Sequence, residues 1–302
     1  MITPGAPSPR SPSLLPYIML NRLIVYLRFV RFSHSVFALP FALAGALLAA
    51  RHAPLTWSKV AWILVAMVAA RSAAMGFNRL VDARFDALNP RTATREIPLG
   101  IMSTREAAGF VVVASLAFVY SAWRLNPICF ALSPVALAIV FWYSLAKRYT
   151  TWTQLFLGLA MAVAPVGGWL AVGGRSGWEP WLLAVAIGTW VGGFDVLYAC
   201  QDLAFDRAHG LRSIPARFGV PLALTISRVM HVITIACLLA LGAVTPLPAF
   251  YYVGVGGVAL LLAYEQSLVR PSDLSQVKRA FDLNGYVGIL YLVVLALSLW
   301  QG

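Results

Sequence analysis

The sequence is poor in charge. Of its 302 residues only 11% are Asp, Glu, Lys or Arg, against 60% hydrophobic. A soluble domain carries about 25% charged residues, so this composition excludes an ordinary water-facing globule. The same excess of apolar side chains excludes a disordered chain. Acids are scarcest: eleven Asp and Glu stand against 23 Lys and Arg, leaving a formal net charge of +12. Cysteine is nearly absent. Cys129, Cys200 and Cys237 stand singly in apolar runs with no C-x-x-C, which reads as small buried residues rather than a disulfide or metal framework. The four histidines are scattered and give no metal spacing, and His34, in "RFSHSVFALPFA", reads as a structural residue. No G-x-x-x-x-G-K-[ST] occurs, so there is no P-loop.

What the chain has is long apolar runs. A helix needs about 20 predominantly apolar residues to cross a bilayer. Nine runs qualify, at roughly 32–50, 58–78, 107–123, 127–146, 153–173, 181–201, 219–242, 247–268 and 284–300. They are continuous and too long for barrel strands, which alternate over about ten residues. The expected fold is therefore all-α: a polytopic membrane bundle of nine transmembrane helices around a central cavity. Residues 1–16 are Pro/Ser-rich with one charge, Arg10, and lack the basic start and small-residue end of a cleaved signal. They read as a disordered leader, and 17–302 as a single transmembrane domain with no room for a second.

The basic residues are distributed unevenly. Seventeen lie before the first span or after spans 2, 4, 6 and 8, and four (Arg51, Lys59, Arg124 and Arg175) in the opposite connections. Lys and Arg gather on the cytoplasmic side, which puts the N-terminus and the even-numbered loops in the cytoplasm. The net charge is thus a topology signal, and no nucleic-acid partner is expected.

Because acids are few, their placement is informative. Asn78, Asp82 and Asp86 read N-x-x-x-D-x-x-x-D at the end of span 2, with Arg71 seven residues earlier. At 100° per residue, these positions share one helix face. On span 6, Asp195, Tyr198, Asp202 and Asp206 form a second stripe. Intramembrane ionisable groups are costly and mark functional sites by default. One D-x-x-x-D at a membrane boundary is explained by capping or a local ion pair. Two at same-side ends of distant spans, each with a deeper polar residue, point to a site. Aspartates one turn apart lie about 6 Å apart along the axis, and their repulsion raises a carboxylate pKa unless a cation intervenes. Oxygen-only ligands favour Mg²⁺, which binds through a few carboxylates plus substrate phosphates. Arg91 and Arg95 after span 2, Lys147 after span 4, and Arg212 after span 6 open on the same side. Their donors suit phosphate, so a Mg²⁺-diphosphate site is the economical reading.

These residues are recognisable together. The Asn78/Asp82/Asp86 motif, the loop "NPRTATREIP", the segment "YSLAKR" beginning at Tyr143 and the stretch "YACQDLAFDRAHGLRSIPARFG" resemble the UbiA-type superfamily of intramembrane prenyltransferases. The likeness covers nearly the whole chain after the leader. Its wording leans towards the 4-hydroxybenzoate polyprenyltransferase-like branch, which includes menaquinone-pathway relatives. The resemblance implies Mg²⁺-dependent transfer of a polyprenyl group from an allylic diphosphate to an aromatic acceptor, 4-hydroxybenzoate or another quinone precursor, with diphosphate released. It assigns Asp82, Asp86, Asp202 and Asp206 to the metal. Arg91, Arg95, Lys147, Arg212, Tyr143 and Tyr198 fall to substrate binding, and Arg71, Asn78 and Asp195 to the acceptor and carbocation chemistry. Arg212 stands where many members have lysine, and Tyr198 where Asn is frequent. The expected partners are the two substrates and the lipid bilayer, and the expected location is the bacterial inner membrane with active-site loops cytoplasmic.

Rival readings remain at this level. A naphthoate-type acceptor is the alternative within the same chemistry. A transporter would use intramembrane Arg71 and Asp195, but its acids should line a path across the bilayer, whereas four of these five sit at one rim. A CDP-alcohol phosphatidyltransferase needs a D-G-x-x-A-R signature, which is missing. Arg71 has a structural alternative as the ion-pair partner of Asp195, and Asn284 as packing glue between helices.

Overall fold

A computed structural model describes residues 22, 24–30, 39–174 and 176–301. The expected leader, His34, Arg175 and the start of the first apolar run lie outside the described residues. Among those described, the architecture is all-helical, apart from one isolated bridge between Arg270 and Asp273. The helices are α1 (Leu39–Ala49), α2 (Trp57–Leu88), α3 (Thr104–Leu125), α4 (Pro127–Tyr149), α5 (Thr153–Val172), α6 (Glu179–Ala199), α7 (Leu203–Ala208), α8 (Ile214–Val244), α9 (Ala249–Leu268) and α10 (Val277–Gln301).

Local chemistry sets the boundaries. Thr56 caps α2 by accepting the Lys59 N–H at 3.3 Å. Ser103 and Glu106 form a reciprocal capping box on α3. Asn126 caps α4, whose first residue is Pro127. Gly173, at φ 94°, ends α5 in the left-handed conformation that a side chain disfavours. α8 is broken at Gly219 (φ 79°), so 214–218 form a separate turn before the long run.

α6 lies at the centre, packed between α5 and α8 and touching α1 and α10. Its closest approach is to α5, where a Cβ on Gly158 would collide with the Gly188 carbonyl. This is the small-residue contact through which helices in lipid, deprived of a hydrophobic drive, gain van der Waals packing. Leu183, Trp190, Phe41 and Tyr291 fill the interior. Outward, Val113, Val232, Val253 and Leu260 are more than half exposed, a surface suited to hydrocarbon and not to water.

All nine expected segments overlap helices. By length and hydropathy, seven described helices can cross a bilayer: α2 to α5, α6 with α7, α8 and α10. α1 has 11 described residues. α9 carries Tyr251, Tyr252, Tyr264, Glu265 and Gln266, which dilute its apolar character. α2 matters most for function. Its 32 residues extend for about 48 Å, beyond a hydrocarbon core of about 30 Å. One helix therefore presents groups both inside the membrane and at its rim.

Candidate active site

The rim begins at the end of α2. Asn78 donates to Asp82 Oδ2 at 3.2 Å, as the i, i+4 spacing requires. Two cations from the end of α4 converge on Asp82: Lys147 Nζ at 2.9 Å from Oδ2 and Arg148 Nη2 at 2.9 Å from Oδ1. Arg148 also donates to the Val81 carbonyl at 2.7 Å. After α2 the chain folds back. The Asn89 side chain accepts the Arg91 N–H at 3.0 Å, and Thr92 Oγ1 donates to the Asp86 carbonyl at 3.1 Å. That turn returns Arg95 to Asp86, whose two carboxylate oxygens accept from Nη1 at 2.6 and 2.7 Å.

Arg91 closes the rim across the bundle. Its Nε and Nη2 donate to the two Asp202 oxygens at 3.1 and 2.6 Å, and its Nη1 donates to the Tyr198 hydroxyl at 3.1 Å. The guanidinium also lies 5.4 Å from the Tyr198 ring centre. This is the forked geometry in which arginine exceeds lysine. Burial works against the Arg91 charge, but Asp202, with smaller contributions from Tyr198 and Asp86, outweighs it and raises the pKa above the ordinary arginine value. The loop after the first motif is thereby clamped to the second motif.

The second stripe differs from its expected form. The spacing predicts one continuous helical face from Asp195 to Asp206. Instead a 3₁₀ turn, Cys200–Asp202, interrupts the helix before α7. With three residues per turn there, the angular register shifts. Asp206 accepts from Ser213 Oγ at 2.9 Å and makes no ion pair with a rim cation among the described residues. Arg212 also departs from expectation. Its Nη1 donates to the Tyr149 carbonyl at 2.6 Å, and it lines a separate cavity with Asp206 instead of joining an aspartate pair.

Among the described residues no three acids, His or Cys converge into a ready-made metal cage. The donor chemistry still fits Mg²⁺. Four carboxylates stand at one end of the bundle, and this ion needs only one or two of them plus substrate phosphate oxygens and water. Asp82, Asp86 and Asp202 each hold a protein cation that an incoming diphosphate can attract instead.

Deeper in the bundle the character changes. Arg71 lies 11 residues before Asp82, about 16 Å along α2. It lines a cavity of about 700 Å³ together with Tyr143 and apolar side chains such as Met67, Ile139, Leu157 and Val163. Arg71 Nε is buried without a hydrogen-bond partner. The alternative of an Arg71–Asp195 ion pair is not realised. Asp195 is half-buried on α6, and its side chain makes no hydrogen bond or ion pair among the described residues.

The structure thus brings Asn78, Asp82, Asp86, Arg91, Arg95, Lys147, Tyr198 and Asp202 into one polar network, and Arg71 and Tyr143 onto one cavity. Sequence reasoning missed Arg148 as a partner of Asp82, although it adjoins Lys147. It also missed Glu265. This acid lies inside an apolar run and is 1% exposed, and its Oε1 accepts from Asn284 at 3.0 Å. Asn284 in turn accepts from Trp190 Nε1 at 2.7 Å, so it does bind helices together.

Comparison with known proteins agrees with this arrangement. The chain is 31% identical over 245 residues to the 4-hydroxybenzoate octaprenyltransferase of Vibrio campbellii, covering 81% of this chain and 86% of that protein. An apo UbiA homologue from Aeropyrum pernix K1 superposes with a TM-score of 0.81 at 36% identity, covering 88% of this chain and 98% of the other. A UbiA homologue from Archaeoglobus fulgidus bound to DMAPP and Mg²⁺ shares the fold at 17% identity, with a TM-score of 0.66 over 90% of this chain and 99% of that one. A sequence profile described as the UbiA prenyltransferase family matches residues 38–297, and the chain belongs to that family.

Proposed function

We propose that the protein transfers a polyprenyl group from an allylic diphosphate to 4-hydroxybenzoate, with Mg²⁺ held by Asp82, Asp86, Asp202 and Asp206. As a family member it is an integral membrane enzyme, an aromatic prenyltransferase. One observation carries the finer reading. A single helix, α2, bears the paired carboxylates at its rim and the unpartnered Arg71 on an apolar cavity about 16 Å deeper. A diphosphate headgroup suits the first, and a prenyl chain and an aromatic acid suit the second.

Arg91, Arg95 and Lys147 stabilise the diphosphate oxygens as the allylic C–O bond breaks, a preorganised electrostatic role. When bound, Mg²⁺ adds Lewis-acid stabilisation of the departing diphosphate. Tyr198 holds the Arg91 fork in place. The apolar cavity, which Tyr143 helps to line, keeps bulk water from the carbocation. Arg71 pairs with the acceptor carboxylate and fixes the ring, with Asn78 between it and the rim. The ring carbon bonds to the prenyl carbon, and Asp195, which has no partner of its own, takes the displaced ring proton.

In this reading, residues 17–302 form one domain crossing the bacterial inner membrane nine times, with the N-terminus and the rim cytoplasmic. The 17 basic residues on that side support the orientation. The experiment is a membrane assay with labelled prenyl diphosphate, Mg²⁺ and an acceptor panel. Product with 4-hydroxybenzoate is expected. Product with a naphthoate-type ring alone would move the enzyme to the other quinone branch, and absence of product with every aromatic acceptor would overturn the proposal.

A further inference from the structure

The clamp across the rim depends on where one ring stands. Tyr198 accepts from Arg91 Nη1, and its ring centre lies 5.4 Å from the guanidinium. Trp190, Phe194 and Tyr198 stand at i, i+4 and i+8 on α6, so their rings share one face. Trp190 and Phe194 are buried and pack edge to face with centres 5.3 Å apart. Tyr198 is only half-buried, and just beyond it α6 gives way to the 3₁₀ turn at Cys200. Support for its ring comes from α10. The Phe281 ring touches both α6 rings nearest the rim, with its centre 5.5 Å from Phe194 at 87° and 4.8 Å from Tyr198 at 44°.

The backbone that carries Phe281 is itself tied. One turn further from the rim, Asn284 is fully buried. Its Nδ2 donates to the Ala280 and Phe281 carbonyls, each at 3.2 Å, and to Glu265 Oε1 on α9 at 3.0 Å. Its Oδ1 accepts from Trp190 Nε1 at 2.7 Å. An amide bonded on both its oxygen and its nitrogen cannot turn without breaking a buried hydrogen bond, which is costly. Apolar side chains would pack these helices as well or better, so the polar network specifies a register. It locks the first turns of α10 to Trp190, and that register sets Phe281 against Tyr198.

We propose that Phe281 is a positioning residue for the diphosphate site: anchored through Asn284, it fixes the Tyr198 ring and through it the Arg91 fork. Its effect on the diphosphate passes through Tyr198. This role rests on the proposed one of Arg91 at the diphosphate.

A double-mutant cycle on the full-length enzyme in membranes tests this, with the prenyl diphosphate and the aromatic acceptor varied in turn. Loss of one aromatic contact corresponds to about a 2- to 10-fold change in affinity. Phe281→Leu, which keeps most of the volume, should raise KM for the prenyl diphosphate about threefold, and Phe281→Ala about tenfold, with the acceptor KM unchanged in both. If Phe281→Ala does not fold, Phe281→Leu carries the cycle. In a Tyr198→Ala background either change should add less than about twofold. Tyr291→Leu, on the same helix but packed against Phe41 and Tyr251, is the control for loosened packing. It should lower the unfolding temperature and leave the prenyl diphosphate KM as it was. Arg91→Ala should raise that KM about tenfold or more. An unchanged prenyl diphosphate KM in the Phe281 variants, a Phe281 loss that persists in full beside Tyr198→Ala, an acceptor KM that rises with it, or an equal rise in Tyr291→Leu would each overturn the positioning role while Arg91 keeps its own. An unchanged prenyl diphosphate KM in Arg91→Ala would instead overturn the diphosphate reading, and the positioning role with it.

Discussion

The rim and the middle of α2 solve the problem of buried charge in opposite ways. At the rim, Asp82 is 3% exposed and is met by Lys147 and Arg148, while Asp86 is met by Arg95. Eleven residues deeper, Arg71 faces an apolar cavity with Nε unpartnered. Carboxylates already neutralised by side-chain cations can exchange those cations for a metal and a diphosphate without leaving any charge bare. A buried cation with no partner is costly, and binding an anion recovers that cost. The rim is therefore built to exchange partners, and the interior to select one. The reaction's driving electrostatics belong to the first and acceptor choice to the second.

Removing the rim's exchange capacity should have the largest effect. Asp82→Asn leaves Lys147 and Arg148 without their anion and weakens the metal site. Prenyl transfer should fall by about 10²–10³ or more, as for loss of a transition-state charge stabiliser, and EDTA should abolish the wild-type rate with recovery on adding Mg²⁺. Near-normal turnover by Asp82→Asn would break the comparison at its rim. The interior comes next. Arg71→Ala should lower kcat/KM for 4-hydroxybenzoate about 10- to 100-fold, the range of a hydrogen bond to a charged group. The same variant should lose little with a phenol that lacks the carboxylate. Equal losses on both acceptors would mean that Arg71 shapes the cavity and does not read the acid.

Much of this contrast was legible in the sequence. Helix positions followed from continuous apolar runs, and α2's stripe followed from its i, i+4 spacing because α2 is one unbroken helix from Trp57 to Leu88. The second stripe was less legible. Its periodicity assumed a continuous helix, but the chain tightens at Cys200–Asp202, and no Gly or Pro announces the change. Arg148 was hidden among residues that positive-inside bias explains equally well. The free state of Arg71 was beyond sequence altogether. Asp195 has suitable charge and depth to be its partner, and only the packing decides that they do not pair: α2 lies against α3 and α4, while α6 lies against α5 and α8. Glu265 was an overlooked signal, since an acid in a long apolar run is a feature that sequence alone displays.

Smaller effects sharpen the distinction between groups that move and groups that hold. Lys147 and Arg148 share Asp82, but only Arg148 also satisfies the Val81 carbonyl. Lys147→Gln should act mainly on KM for the prenyl diphosphate. Arg148→Gln should lower thermal stability as well, by about 1–3 kcal/mol for polar groups left unsatisfied, with a loss of activity of about tenfold or less. If the two variants are indistinguishable in both unfolding and kinetics, Arg148 has no separate positioning role.

The smallest predicted change is at Tyr198. Its hydroxyl accepts one Arg91 N–H at 3.1 Å, while Arg91 keeps two stronger donors on Asp202. Tyr198→Phe removes that acceptor but preserves the ring lying 5.4 Å from the guanidinium. A net hydrogen bond contributes about 1 kcal/mol, so kcat/KM for the prenyl diphosphate should fall about fivefold with the acceptor KM unchanged. Tyr198→Ala removes the ring contact too and should cost a further few-fold, in keeping with a cation–π contribution of about 0.5–1 kcal/mol at a partly exposed site. A change confined to the acceptor KM would place Tyr198 with the interior groups, on the other side of the contrast along α2.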